Sequence, residues 1–396
     1  MAPAKMAPAR AKADALAERA PREELRAQAQ QSQLTAGDWD DNLNFPTFLK
    51  YRGAAVGRQH PYGHIDVSTS KVIEVKNAKG EPVRGARVRV LEGKKQLLAA
   101  TTPADGRVLF VPTLDGASKA SVTVQVEGTG QASKELSVTA AGEHSLAVVL
   151  SDAQYRRASA MDIAFVLDTT GSMSDELRYL QREIGEIASR VQSAFQPLDL
   201  RFALIVYRDV GDQYVVKTFD FGPLSRFQDA LAELVANGGG DEPEAVEQAL
   251  AAMGQLSWSS GDASKVAFLV ADAPAHAENE RKLFKEMDSA RLRGVRLYTV
   301  AASGVSDEAE LELRTASQLT LGRYLFLTDD SGIGNSHAEP HIPCYVVQKL
   351  AGLLTHTLAA EVTGIRGEIP PGEVVRTVGN PQQGSCKGPN GIAYRL

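Results

Sequence analysis

From Asp162 to Asp329 the chain alternates two kinds of segment, and this alternation limits its fold more than any other feature. Short apolar runs recur: "DIAFVLD" (162–168), "RFALIVYRD" (201–209), "KVAFLVAD" (265–272), "VRLYTVAA" (295–302) and "RYLFLTD" (323–329). Between them lie stretches with helical spacing of apolar residues, such as "SDELRYLQREIGEIASRVQSAF", "PEAVEQALAAM" and "DEAELELRTASQL". A strand that is apolar on both faces needs cover on both faces. Strands alternating with amphipathic helices therefore predict a mostly parallel sheet between two helical layers. "QYVVKTFDF" (213–221) follows the second run after only a tight turn, which predicts an antiparallel edge strand.

Upstream the period changes to two. From Asp66 to about Leu150, "KVIEVKNAKGEPVRGARVRVLEG", "ATTPADGRVLFVP", "ASVTVQVEG" and "HSLAVVL" alternate apolar and polar residues between Gly- and Pro-rich turns. No helical stretch interrupts them, which is the pattern of a β-sandwich. The expected fold class is thus multidomain: a Rossmann-like α/β domain at 158–362 and an all-β sandwich at 65–151. Residues 1–33, punctuated by prolines 3, 8 and 21, read as a disordered or partly helical arm. Residues 34–64 read as a lead-in. There Asp38, Asp40 and Asp41 mix with Trp39, Phe45, Phe48 and Tyr51. The cluster lacks the loop glycine and distal Glu of an EF-hand. Its aromatics are expected to dock on a neighbouring domain while its acids stay in water. The tail, 363–396, is rich in Pro and Gly, and its sequence leaves open whether it pairs with the sandwich or with the sheet edge.

A net charge of −6 argues against a general nucleic-acid binder. No apolar run is long enough to span a bilayer. No secretory signal is visible, so the chain is either cytoplasmic or has lost a signal before residue 1. The two cysteines, Cys344 and Cys386, permit a disulfide closing a long loop, or are two unrelated thiols.

Ligands of open α/β sheets bind beyond the carboxyl ends of the strands. Here those ends are acidic: Asp168, Asp209 and Asp272 close three of the apolar runs, and Asp241 sits in the Gly-rich "NGGGDEPEAVEQAL". Asp168, Thr170 and Ser172 place three oxygen-bearing side chains at alternate positions of one loop. Carboxylates meeting at one rim repel unless something positive sits among them. Oxygen-only donors suit a hard cation such as Mg²⁺, and the first loop has no His or Cys for zinc.

Asp168-x-Thr170-Gly171-Ser172 resembles the D-x-[ST]-x-S signature of the von Willebrand factor type A domain. "GGGDEPEAVEQAL" and "FLVADAPAH" lie where that family places its second and third metal loops. "LTAGDWDDNLNF" resembles the lead-in of bacterial, often extracytoplasmic, type A proteins, which implies an extracytoplasmic or cell-surface location. The sandwich, through "GEPVRGARVRV" and "TTPADGRVLFVP", resembles the transthyretin-like or carboxypeptidase-regulatory-like family, implying a spacer or binding module. The type A resemblance implies a metal-ion-dependent adhesion site. Its ligands are Asp168, Thr170, Ser172, Asp241 and Asp272, its ion Mg²⁺ with Mn²⁺ or Ca²⁺ as alternatives. It also implies a protein partner whose acidic or hydroxyl group completes the metal site, and a mobile last helix near Cys344–Leu358. Asp241 departs from the Thr that many adhesion-type members carry there, and an added carboxylate makes the ion less hungry for a partner's acid.

Rival readings fit less well. "FVLDTTGS" resembles an aspartyl-phosphatase loop, but Thr170 stands where those enzymes carry an acid, and "TDDSGIGN" lacks the second carboxylate of their later metal loop. No activated acceptor or general acid is evident, so the chain is read as a non-enzyme. "NGGGDEPEA" lacks a P-loop lysine, and its acids would repel phosphate. A metal-free scaffold remains the alternative of a different class. His337 and His341 are expected in a surface loop, Arg208 and Asp209 as an ion pair, and Trp258 as packing at a helix end.

Overall fold

The computed structural model describes residues 34–56, 66–139, 143–240, 242–261, 263–332, 337–382, 384–389 and 391–396. The arm at 1–33 and Asp241 lie outside the described residues. The first strand, β1 (Thr35–Trp39), is buried along its whole length and leads into helix α1 (Phe45–Val56).

Seven short strands follow: β2 (Lys71–Lys76), β3 (Arg87–Glu92), β4 (Lys95–Thr101), β5 (Arg107–Phe110), β6 (Ser121–Gly128), β7 (Gly130–Ser137) and β8 (Ser145–Val149). They form a three-stranded sheet, β5-β2-β8, and a four-stranded sheet, β4-β3-β6-β7. The alternation seen in the sequence becomes facing: Ile73, Val75, Val88, Val90, Val124, Val126 and Val148 point into one shared core. The turn before β5 uses Gly106 at φ +71°, where a Cβ would meet the Val75 carbonyl at 2.4 Å.

The remaining apolar runs build the main sheet. In chain order its elements are β9 (Ala160–Asp168), α2 (Ser174–Ala194), β10 (Asp199–Tyr207), β11 (Val216–Gly222), α3 (Leu224–Ala232) and α4 (Val246–Gly254). Then come β12 (Ser264–Ala271), α5 (Glu280–Leu292), β13 (Val295–Ala301), α6 (Asp307–Leu319), β14 (Tyr324–Thr328), β15 (Tyr345–Lys349), α7 (Leu350–Thr363) and β16 (Val374–Val378). The strand order is β11-β10-β9-β12-β13-β14-β1-β15-β16. Strands β10, β9, β12, β13 and β14 run parallel, and β11 pairs antiparallel at one edge. Successive residues of β9 enter opposite cores, Ala164 and Val166 on one face, Ile163, Phe165 and Leu167 on the other. The first face is covered by α4, α5 and α6 through residues such as Leu250, Leu283 and Leu313. The second is covered by α2, α3 and α7 through Ile184, Phe227 and Leu353. Strands buried on both sides thus explain why the runs contain so few polar residues.

The lead-in departs from the expectation. Strand β1 lies inside the main sheet, antiparallel to both β14 and β15. Its acids are not in water: Asp38, Asp40 and Asp41 are 6%, 2% and 2% exposed. Asp38 pairs with Arg323 and, at 2.7 Å, with Arg366. Asp41 receives both Nε and Nη2 of Arg314, at 3.0 and 2.7 Å. Burial pushes the Asp38 carboxyl up, but Arg323 and Arg366 outweigh it and hold it below its ordinary value. A buried carboxylate needs such partners, and here they come from distant elements.

The tail pairs with the sheet edge: β16 extends the main sheet by pairing with β15, and three short strands follow, β17 (Asn380–Gln382), β18 (Ser385–Lys387) and β19 (Ala393–Arg395). Cys344, just before β15, is disulfide-bonded to Cys386 in β18, 42 residues on. The segment after Cys344 is therefore a strand, and the last helix starts only at Leu350. The expected helix near Cys344–Leu358 is corrected accordingly. The bond ties the C-terminal hairpins to the sheet rather than to α7.

The sandwich is joined to the core on the main sheet's first face, since Val72, Leu109 and Val111 share that core with Phe45 and Phe48 of α1. Phe45 stacks on His144, with ring centroids 3.7 Å apart. Burial pushes the His144 imidazole down to about 4, against the opposing pull of the Ser70 carbonyl. Its folded pKa lies below the unfolded value near ~6.5. Between those values the unfolded chain binds the proton and the folded chain does not, so stability falls as pH drops through that window. In His144→Phe, which keeps the stack and cannot titrate, unfolding free energy should fall less between pH 7 and pH 4 than in the wild type. Parallel pH profiles by urea denaturation would show that His144 contributes nothing to acid sensitivity.

Candidate metal centre

Three strand ends and two loops converge at the carboxyl edge of the main sheet. Strand β9 ends at Asp168, which is 1% exposed. Its Oδ1 accepts the Thr170 backbone N–H at 2.8 Å and the Thr170 hydroxyl at 2.7 Å. Its Oδ2 is buried with no hydrogen-bond partner among the described residues. The chain then makes one 3₁₀ turn, Gly171–Met173, before α2. That turn brings the Ser172 hydroxyl to 3.3 Å from the Thr170 hydroxyl. Ser172 also hydrogen-bonds Asp272, the residue after β12. Asp168, Thr170, Ser172 and Asp272 thus form one linked set, as their positions in the sequence predict. Ser172 is exposed, so the set opens to solvent.

The electrostatics are those of crowded acids. Burial raises the Asp168 carboxyl to about 7, and the Asp272 charge adds to the effect. Asp272 is raised as well, by burial first and by Glu176 in addition. A further acid, missed in the sequence, belongs to the same rim: Glu244 is 3% exposed, and its Oε2 has no partner among the described residues. Burial pushes it up to about 9, with contributions from Asp168, Asp209, Asp272 and Asp212. What turns Glu244 inward is a backbone contact: its N–H donates to the Pro274 carbonyl at 2.9 Å, in a parallel bridge with Ala275.

The Gly-rich loop closes over the first loop. Gly171 N–H donates to the Gly238 carbonyl at 3.0 Å, and Gly239 N–H to Asp212 Oδ2 at 3.0 Å. Gly239 has φ +63°, and a Cβ there would lie 2.9 Å from Thr170 Cβ and 3.1 Å from Glu244 Oε1. Only glycine fits this approach.

Neighbouring residues depart from expectation. Arg208 is not paired with Asp209: its guanidinium holds the Thr169 and Val235 carbonyls at 3.1 and 2.8 Å and stacks over Tyr214. Asp209 instead contacts His276 Nε2 at 2.6 Å, and that bond, opposed by burial, raises the imidazole above its ordinary value. His337 is not on the surface. It is 8% exposed, bridging Asp329 Oδ1 at 2.8 Å and the Ser303 hydroxyl at 3.0 Å. His341 does have a half-exposed side chain, bonded to Glu310 at 2.8 Å. Trp258 packs at the end of α4, donating to the Met253 carbonyl at 2.9 Å.

The donor chemistry fits a hard divalent cation. It combines carboxylates with neutral hydroxyls, and the Asp168 Oδ2 and Glu244 Oε2 oxygens are buried with no hydrogen-bond partner among the described residues. Among the described residues no group of three or more His, Cys, Asp and Glu side chains is placed to hold a metal.

Residues 162–332 match the family model of the von Willebrand factor A domain. With the parallel sheet and its two helical layers, this stretch is a von Willebrand factor A domain, joined to additional β-sheet structure. Among curated proteins, the alpha-protein kinase vwkA of Dictyostelium discoideum is 25% identical over 144 residues, 36% of this chain and 23% of the relative. The von Willebrand factor A domain-containing protein 7 of Rattus norvegicus is 39% identical over 92 residues, 23% of this chain and 10% of the relative. The chain spans less than a quarter of the length of either. Among solved structures, BatB from Bacteroides thetaiotaomicron aligns with 44% of this chain and 91% of its own, at 13% identity and a TM-score of 0.33.

Proposed function

We propose that this chain is a non-enzymatic, metal-dependent protein-binding module. The observation that carries the reading is the buried Asp168 Oδ2, without a partner among the described residues, beside the Thr170 and Ser172 hydroxyls and Asp272. Asp168, Thr170, Ser172 and Asp272 would hold Mg²⁺, or Mn²⁺ or Ca²⁺ in its place, with Asp241 as a further ligand. The ion supplies an open coordination position for a carboxylate or hydroxyl oxygen of a protein partner. Asp168 and Asp272 set its charge, and Thr170 and Ser172 orient it without neutralising it. Burial favours the neutral form of Glu244 at the same rim, which limits its part in the repulsion there.

Specificity comes from the loops around 209–214, 238–244 and 273–279. The sandwich, in the transthyretin-like or carboxypeptidase-regulatory-like reading, serves as a second binding surface. An extracytoplasmic or cell-surface setting rests on the lead-in, "LTAGDWDDNLNF", through its resemblance to bacterial type A proteins. No helix among the described residues is long and apolar enough to cross a membrane.

Calorimetry with Mg²⁺, with thermal unfolding alongside, tests the proposal. Ion at ~100 times its Kd should add about 2.7 kcal/mol of stability, provided only the folded chain binds it. A melting temperature indifferent to Mg²⁺, Mn²⁺ and Ca²⁺ alike would move the reading to a metal-independent scaffold.

A further inference from the structure

A second site lies at the opposite end of the main sheet. There β4 and β5 of the sandwich meet the amino ends of β12 and β13, leaving a cavity of about 370 Å³. It is roughly 20 Å along β12 from Asp272, so it shares nothing with the carboxylate rim. The volume lies within the ~300–1,000 Å³ range of small-molecule sites.

Its lining is strongly basic. Arg84, Arg107, Lys265, Arg291, Arg293 and Arg296 face it, against Glu361 as the acid among its lining residues. Most of this charge is already matched. Arg107 and Arg296 share Asp105, and Arg296 also reaches Glu361 at 3.5 Å. Arg291 pairs with Asp115 and Asp288, both at 2.7 Å. Lys265 and Arg293 are different. Lys265 Nζ donates to the Arg293 backbone carbonyl at 3.3 Å, a neutral acceptor. The Arg293 side chain is exposed and makes no ion pair among the described residues. Burial holds the Lys265 ammonium below its ordinary pKa; Asp162 opposes this, and Arg293 adds to it.

Two adjacent cations facing one cavity match a single doubly charged anion. A phosphate group carries close to two negative charges near neutrality. It accepts from a planar guanidinium and from an ammonium at the same time. Leu98, Val108 and Leu321 line the same cavity and offer an apolar wall to whatever carries the phosphate.

We propose that this cavity binds the phosphate group of a small molecule, with Lys265 and Arg293 as its ligands. Because Thr101 and Pro103 of the sandwich line it together with Lys265 and Arg293, an occupant touches both units and fastens them to each other.

The test is calorimetric titration of the full chain, with thermal unfolding alongside, at ionic strength held constant with chloride. One arm uses inorganic phosphate and the other adenosine 5′-monophosphate. The proposal expects saturable one-to-one binding in at least one arm. Saturation by both at equal affinity identifies free phosphate as sufficient; tighter binding of the monophosphate identifies an organic phosphate. Arg293→Ala removes an exposed side chain and leaves the fold in place, and Lys265→Met keeps the aliphatic stem. Each should weaken binding at least tenfold, and Lys285→Ala, an exposed lysine of α5 outside the cavity, should not. Saturation in neither arm, or variants that bind as the wild type does, would overturn the proposal.

Discussion

In chelator, Asp168→Asn should be more stable than the wild type by about 1–3 kcal/mol, and it should no longer respond to Mg²⁺. The sign follows from the site's geometry. Asp168 is buried with one oxygen unpartnered among the described residues, and Asp272 repels its charge. A carboxylate in that position is costly without a cation. Asparagine keeps the shape and can still accept the two bonds from Thr170 through its carbonyl oxygen. Its amide replaces the orphaned oxygen with a donor amid acids, so repulsion becomes attraction. A residue that lowers apo stability and is required for the ion is the signature of a binding site maintained against the fold's preference. Urea denaturation of both proteins in chelator and in saturating Mg²⁺ gives all four free energies. A variant less stable than the wild type in chelator would make Asp168 a structural residue and undercut the metal reading.

Arg314→Ala should cost about 3–5 kcal/mol, the largest loss of any single substitution considered. Arg314 is fully buried, in α6, and grips Asp41 through two nitrogens at 2.7 and 3.0 Å. It also pairs with Glu310 at 3.1 Å and lies over the Tyr51 ring at 4.0 Å. Truncation strips the buried Asp41 carboxylate of its guanidinium beside an empty volume, leaving it only the Trp39 indole N–H among the described residues, while Glu310 keeps His341. The loss should fall mainly on β1 and α1, so hydrogen exchange in 35–56 should accelerate. The double variant Arg314→Met, Asp41→Asn should be less damaging than the two single losses summed, because it removes the stranded charge with its partner. Strict additivity would show that the pair is not coupled in the way the geometry demands.

How much of this was legible in the sequence depended on how local the cause was. The parallel strands were legible because burial on both faces leaves a continuous apolar run. The edge strand β11 was legible because the connection after β10, Tyr207 to Val216, is too short for a parallel crossover and admits only a hairpin. Asp168, Thr170 and Ser172 share one loop, and Asp272 closes an apolar run, so their convergence could be read from position alone. Strand β1 could not be read in that way. "TAGDW" has one large apolar residue, and its place is set by β14 and β15 and by the Asp38–Arg323 pair, whose members are 285 residues apart. Its acids looked wet because their partners were nowhere near. Glu244 was hidden for a similar reason. "DEPE" offers three acids, and the contact with Pro274 and Ala275 decides that Glu244 turns inward. His337 was misread because its partners, Asp329 and Ser303, come from the ends of two other strands.

The most direct measurement is an anomalous difference map from a crystal of the full chain soaked in Mn²⁺. The account predicts one strong peak at the carboxyl edge of the main sheet, within coordination distance of Ser172 and Thr170 hydroxyls and an Asp168 oxygen, and its absence in Asp168→Asn. A wild-type map with no peak at that rim, while Mn²⁺ is demonstrably present in the crystal, would contradict it.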